Sequence, residues 1–224
     1  MEAADRVMIF TKPAVPNSVK TRLVPPLAPE AAAALHLAFL EDVIEIVRVA
    51  ADIEAELVVS GDEEAAEAFR RRYPGYQVTL QRGSDLGARL VAAFRQSFRR
   101  PTQRAIVLGS DHPTLPPEYV ANGLEQLAGV DAVLGPSRDG GYYLVGLSRH
   151  GWPRSAALFR DIPWSTSRVL RTSLDRARES GTAVALLPEW YDVDRPDDLD
   201  RLRRDARPGS AALACLNALF GPRA

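Results

Sequence analysis

The sequence predicts an α/β fold, a three-layer α/β/α sandwich around a mostly parallel sheet, and three observations carry that expectation. Short apolar runs recur along the chain, each bounded by turn residues or charges, as strands buried on both faces are. Segments with helical periodicity lie between them. Parallel strands need crossover connections long enough to cover a face of the sheet, and these intervals are long enough.

The strand-like runs are "RVMIF" (6–10), "AELVVS" (55–60), "YQVTL" (76–80), "RAIVLGS" (104–110), "DAVLGP" (131–136) and "TAVALL" (182–187). Residues 29–50 space Leu35, Phe39, Val43, Ile46 and Ala50 three or four apart, and residues 85–98 do the same with Leu86, Leu90, Phe94 and Phe98. A further helix is expected from about Pro117, after prolines that stop the preceding strand. "GGYYLVGLS" (140–148) follows "DAVLGP" after only a short loop, so a local antiparallel excursion is expected there. No repeat or low-complexity linker divides the chain, and one domain is expected over residues 1–224.

Of 224 residues, 46% are hydrophobic, enough for a substantial core; 28 basic and 29 acidic residues nearly cancel. No overall field favours nucleic acid or an anionic membrane, so any phosphate site must be local. The single Cys215 excludes an internal disulfide framework and reads as a small residue of a helix. No apolar run reaches the roughly 18 residues of a membrane span and no signal-like start is present, so a cytoplasmic protein is expected.

Ligands in open α/β sheets bind beyond the carboxyl ends of the strands. The first strand leads into "FTKPAVPNSVKTRLVPPLAPE", which carries Lys12, Lys20 and Arg22 with no acid before Glu30. Arg22 could grip phosphate oxygens in bidentate fashion while the lysines act as point charges; an exposed basic loop is the alternative. After "YQVTL", Gln81 and Gly83 could border a base, although Ser84 or Asp85 would also serve simply as a helix cap. Asp111 ends the strand "AIVLGS", directly after Ser110, where a carboxylate needs a cation to answer it. Magnesium suits it, and a helix-start acid is the plain alternative; His112 beside it reads as a surface or packing residue. Asp139, Gly140 and Gly141 form a strong turn signal, and the glycines would also let backbone approach a ligand. Of Tyr142 and Tyr143, at most one can face the site.

In "EWYDVDRPDDLDRL" (189–202), Asp192 and Asp194 would share one face of an extended segment and repel each other unless solvated, protonated or metal-bound. Asp197, Asp198 and Asp200 fall in the first turns of a helix, where acids are favoured without any function. The run "SAALACLNALF" (210–220) should pack back on its own domain, and a homodimer is compatible with it. Trp164 could border an acceptor pocket, with Ser165 beside it as a helix cap.

Four motifs in this order, "FTKPAVPNSVKTRL", "LGSDHPTL", "GPSRDGGYYLVGL" with "IPWST", and "DVDRPDDLDRL", together resemble a bacterial family of GT-A-fold, glycosyltransferase-like proteins sometimes associated with arsenosugar biosynthesis. More distantly they are similar to the nucleotidylyltransferases that activate phospholactate, molybdenum cofactor and sugar phosphates. The resemblance runs from about Val7 to Leu202. It implies a Rossmann-like, nucleotide-diphospho-sugar-transferase-like sheet with a nucleotide over its first half. It also implies a Mg2+ (or Mn2+) ion held by Asp111 and Asp194, and Lys20 and Arg22 on the nucleotide's phosphates; Asp192 is expected to support the metal.

The chain departs from the pattern in three places: Arg195 stands where threonine is usual, Pro13, Pro16 and Asn17 replace a glycine-rich first loop, and no Asp-x-Asp pair follows the fourth strand. The last favours nucleotidyl transfer from a nucleoside triphosphate to a small anionic acceptor over glycosyl transfer from a nucleotide-diphospho-sugar. A non-catalytic nucleotide-binding module is the third expectation. The residues expected to act are Lys20, Arg22 and Asp111 in catalysis, with Lys12, Gln81, Gly83, Ser110, Asp139, Gly140 and Gly141 around the nucleotide.

Overall fold

Seven strands form one sheet in the order β3-β2-β1-β4-β6-β5-β7 in the computed structural model, which describes residues 4–50 and 54–221. The elements are β1 (Ala4–Thr11), α1 (Pro29–Ala50), β2 (Glu54–Val59), α2 (Glu63–Arg72), β3 (Gln77–Leu80), α3 (Leu86–Phe98), β4 (Thr102–Gly109) and α4 (Pro117–Gln126). They continue with β5 (Ala132–Pro136), β6 (Tyr142–Ser148), α5 (Trp152–Ser155), α6 (Val169–Ser180), β7 (Val184–Leu186), α7 (Pro196–Asp205) and α8 (Ala211–Phe220). β6 is antiparallel to both β4 and β5, as the short loop before it requires, while the β1–β2, β1–β4, β2–β3 and β5–β7 pairs are parallel.

The alternation of side chains along each strand divides the core in two. Val7 and Ile9 of β1 pack with Leu40, Val43 and Ile46 of α1 and with residues of α2 and α4. Met8, between them, faces the other side with Leu90 and Phe94 of α3 and Ala177 of α6. The helices therefore lie on both faces, the three-layer arrangement expected.

A third cluster lies outside this sandwich and bears directly on the site. Leu23 and Leu27 of the first loop pack with Leu35 and Phe39 of α1, Val193, Leu199 of α7 and Leu216 of α8. Leu23 is fully buried, an anchor that stabilises the loop by about 2 kcal/mol. Asp42 of α1 fixes α8 by accepting hydrogen bonds from Ala211 N (2.8 Å) and Ala212 N (2.9 Å). The C-terminal apolar run thus covers its own domain, with half-buried Cys215 on the cluster's edge. No helix among the described residues is long and apolar enough to cross a membrane.

Deep in the sheet, Arg6 of β1 and Glu56 of β2 form a buried ion pair at 2.6 Å. Thr79 donates to Glu56 Oε1 at 2.5 Å and Arg6 also donates to Gln77 at 3.3 Å, so the pair ties three parallel strands together by side chains.

Candidate functional site

At the carboxyl end of β1 the chain leaves the sheet at Thr11 and crosses in the 12–28 loop before α1 begins. Two interactions pin its start: the Gln81 side-chain amide donates to Thr11 O and Val58 O (both 3.0 Å), and the His36 imidazole lies 3.1 Å from Lys12 O. Further on, Lys20 adopts a left-handed conformation (φ 46°, ψ 35°) and caps a short 3-10 turn, Thr21–Leu23. Such a conformation costs a non-glycine residue about 1–2 kcal/mol, which the contacts of its ammonium group offset. With Leu23 anchored in the core, Lys20 points inward and Arg22 points out.

Lys20 Nζ lies 2.6 Å from Asp111 Oδ1, 2.9 Å from Asp194 Oδ1 and 2.9 Å from Val193 O. Asp111 is aimed by the end of β4; Asp194 is aimed by the approach to α7, where Asp198 accepts hydrogen bonds from the Asp194 and Arg195 amides at 3.0 and 2.7 Å. Val193 N in turn donates to Asp111 O at 3.1 Å, which locks the two acid-bearing segments side by side. Arg22 reaches Asp194 Oδ2 at 3.5 Å with a guanidinium that is mostly exposed. Lys12, Lys20, Thr21, Arg22, Asp111 and Asp194 line a basin of about 280 Å³.

His36, on the buried stripe of α1, completes the inner wall. Its Nε2 must donate, because Lys12 O can only accept, which leaves Nδ1 as a bare lone pair 3.8 Å from Asp111 Oδ1. Burial lowers the His36 pKa and outweighs the pull of Asp111, so the ring stays neutral near neutral pH.

Burial alone would raise the Asp111 pKa, but the Lys20 ammonium beside it overcomes that and holds the carboxyl at about 2 against the ordinary 3.8. The same two acids overcome burial at Lys20 and raise its pKa. Because Asp111 is depressed in the folded state, its contribution is complete above its ordinary pKa and is lost as pH falls from 3.8 towards about 2. Its side chain keeps 39% exposure, so solvent screening limits that contribution to about 1 kcal/mol. Urea midpoints of the wild type and Asp111→Asn should therefore differ near neutral pH and converge across that acid window; a constant gap would show that the carboxylate's charge is not involved.

Asp192 has partners of its own beside the two acids, and its pKa is raised by burial and by the nearby Asp139 and Asp194 carboxylates. Residues 191–194 are not in a regular strand, so side chains two apart need not share a face. Asp192 Oδ1 accepts a very short hydrogen bond from Ser137 Oγ and lies 3.4 Å from His112 Nδ1. His112 is no surface residue: it is buried, packs edge-on against Tyr143, and its Nδ1 lies 3.2 Å from Tyr191 O.

Other expected contacts have partners within the chain. Gln81 spends its amide on the strand ends and lines a separate hollow of about 200 Å³ under α3, away from the two acids. At Gly83 (φ 144°) a Cβ would stand 2.7 Å from backbone atoms of Ala88 and Arg89, so the glycine allows α3 to start close by. Asp85 is the helix cap, accepting from Ala88 N at 2.9 Å. Asp139 accepts from Gly141 N at 2.8 Å, which is the turn reading. Gly140 approaches protein and not open space: a Cβ there would meet Ser167 O at 2.2 Å. Ser110 is buried at the end of β4, just before Asp111. Ser165 is not a helix cap; it sits left-handed (φ 64°), and α6 begins only at Val169. Trp164 packs edge-on against Tyr142, whose partner Tyr143 donates to Pro188 O, so both tyrosines serve packing.

A divalent ion between Asp111 and Asp194 does not fit this arrangement. The oxygens that would face it converge on Lys20 Nζ, and no group of three His, Cys, Asp or Glu side chains among the described residues could hold an ion.

The profile of a family described as "Uncharacterized protein conserved in bacteria (DUF2064)" matches residues 43–166. No curated protein matches the chain. Among solved structures, a protein of Desulfovibrio desulfuricans G20, provisionally described as a nucleotide-diphospho-sugar transferase, is 29% identical, with 97% of this chain and 95% of that one covered and a TM-score of 0.87. A cytidylyltransferase from Leptospira borgpetersenii serovar Hardjo-bovis shares the fold at 9% identity (97% and 94% covered, TM-score 0.60). So does Rv0371c from Mycobacterium tuberculosis H37Rv, solved in complex with manganese, at 18% identity (91% and 100% covered, TM-score 0.54).

Proposed function

The chain belongs to the DUF2064 family of bacterial proteins, and on that footing we propose that it is a nucleotide-handling transferase which moves a nucleotidyl group from a nucleoside triphosphate to a small phosphorylated or otherwise anionic acceptor. The observation that carries this reading is the basin at the carboxyl ends of β1 and β4. There Lys12, Lys20 and Arg22 converge from one loop at the place where open α/β sheets bind nucleotides. The cytidylyltransferase likeness in fold supports the same class.

In this reading an acceptor oxygen attacks the α-phosphorus and forms the new P–O bond. The bond from that phosphorus to the bridging oxygen breaks, and pyrophosphate leaves with the electron pair. Chemistry of this kind depends on positioning and charge stabilisation and needs no covalent nucleophile from the protein. Arg22, exposed and held only loosely by Asp194, has free N–H groups for phosphate oxygens. Lys12 adds a point charge on the basin's rim. Asp111 and Asp194 act through Lys20, holding its ammonium against the basin floor.

A second reading has a specific observation of its own. The Desulfovibrio protein, similar over nearly the whole chain, is described as a nucleotide-diphospho-sugar transferase, and the same basin would hold the diphosphate of a sugar donor. The products separate the two. Thermal unfolding against ATP, GTP, CTP, UTP and a panel of nucleotide sugars should give a selective rise in midpoint. Incubation of the stabilising triphosphate with candidate phosphate acceptors should then release pyrophosphate. Stabilisation by nucleotide sugars alone, with release of a nucleoside diphosphate, would replace nucleotidyl with glycosyl transfer. No stabilisation by any of them would remove the nucleotide reading.

A further inference from the structure

Asp111 and Asp194 reach the site from β4 and from the start of α7, and their Oδ1 atoms converge on one point. That point holds an atom of the chain itself. Lys20 Nζ directs hydrogen bonds at Asp194 Oδ1 and Val193 O, both at 2.9 Å, and stands closer still, at 2.6 Å, to Asp111 Oδ1. The last contact is an ion pair, and Asp111 Oδ1 is sealed from solvent against the ammonium group. The Lys20 side chain is 3% exposed and lies over the Phe39 ring, 5.2 Å from its centroid.

A small divalent ion bridging two carboxylates stands about 2.0–2.1 Å from each oxygen and brings its own waters. Here that volume contains the ammonium group, and the two cannot coexist. With Lys20 and Arg22 facing Asp111 and Asp194, the four charges already balance. Nothing in the local electrostatics calls for a further cation until phosphates arrive.

We propose that Lys20 is the resident cation of this site: its ammonium group holds the place between Asp111 and Asp194 that a bridging divalent ion would take, so that lysine and metal compete for one position. The inference rests on the nucleotide reading only in its consequence, which is that the phosphates are met by a protein cation and not by a metal held between these acids. The competition itself concerns this chain's residues alone.

Mn2+ binding without nucleotide, followed by loss of the free-ion signal in electron paramagnetic resonance, tests it. Lys20→Met should bind Mn2+ at least about tenfold more tightly than the wild type, and Lys20→Met/Asp194→Asn should lose that gain. Tight Mn2+ binding by the wild type, abolished by Asp111→Asn, would overturn the proposal, as would equal affinity in wild type and Lys20→Met. Should Lys20→Met fail to fold, the wild type still decides: its triphosphate affinity in EDTA should stay within about threefold of that in Mn2+. A larger gain with Mn2+ that disappears in Asp111→Asn would place the metal between the acids and refute the assignment. No triphosphate binding in either buffer would count against the nucleotide reading, and the Mn2+ comparison between wild type and Asp111→Asn would still decide who holds the position.

Discussion

Lys20→Met is expected to weaken binding of a nucleoside triphosphate in metal-free buffer by about ten- to a hundredfold, the effect of losing about 1.5–3 kcal/mol of charge-assisted interaction. The loss has two parts. The ammonium group no longer opposes the phosphates, and Asp111 and Asp194 are left facing each other and the incoming anion without the cation that joins them. Isothermal titration in EDTA measures the effect, with Arg22→Met as a comparison. Arg22 is largely exposed and lies 3.5 Å from Asp194, so its loss should weaken binding while leaving the two acids neutralised by Lys20. Unchanged affinity in Lys20→Met would mean that the phosphates do not lie over this end of the basin. Mn2+ should restore much of the lost affinity in this variant and little in the wild type, because only the variant has room for the ion.

Arg6→Met should cost the fold about 3–5 kcal/mol, since it strands the Glu56 carboxylate inside the sheet without its partner at 2.6 Å. Thr79 still donates to Glu56, but a hydroxyl cannot neutralise the charge. Urea unfolding should show the midpoint falling with little change in slope, and Arg6→Met/Glu56→Leu should recover a large part of the loss because it removes both members of the buried pair. A loss below about 1 kcal/mol would show that water reaches Glu56 from the hollow under α3, so that the pair behaves like a surface one.

The strands and the two long helices were legible because buried strands and amphipathic helices leave periodic marks that depend on nothing distant. α1 spans 29–50 as its Leu35, Phe39, Val43, Ile46 spacing predicts, and the antiparallel β6 follows from the brevity of the loop before it. The site was legible as residue types but not as partnerships. Lys20, Arg22, Asp111 and Asp194 stand out in the chain, yet no local pattern tells that Lys20 turns inward through a left-handed backbone to lie between the acids. Asp192 reads as the twin of Asp194 in an extended segment, but nothing local tells that Ser137, 55 residues away, holds it. His36 carries no such signal, since a histidine among apolar residues of a helix reads as core until the carbonyl of Lys12 and the carboxylate of Asp111 are seen on either side of it.

The hydrogen bond from Lys20 to Asp194 joins residues 174 positions apart in a chain of 224. Contacts closed over so long a loop form late, after shorter-range structure has reduced the search. A nascent chain emerging from the ribosome therefore has its basic loop and Asp111 long before it has the second acid, and cannot complete the cluster until α7 has been made. The cluster is accordingly assembled only once the first loop and the approach to α7 have been brought together. Any ligand that grips the cluster would fasten the first loop to the approach to α7, so that local opening of either segment would cost the binding energy as well.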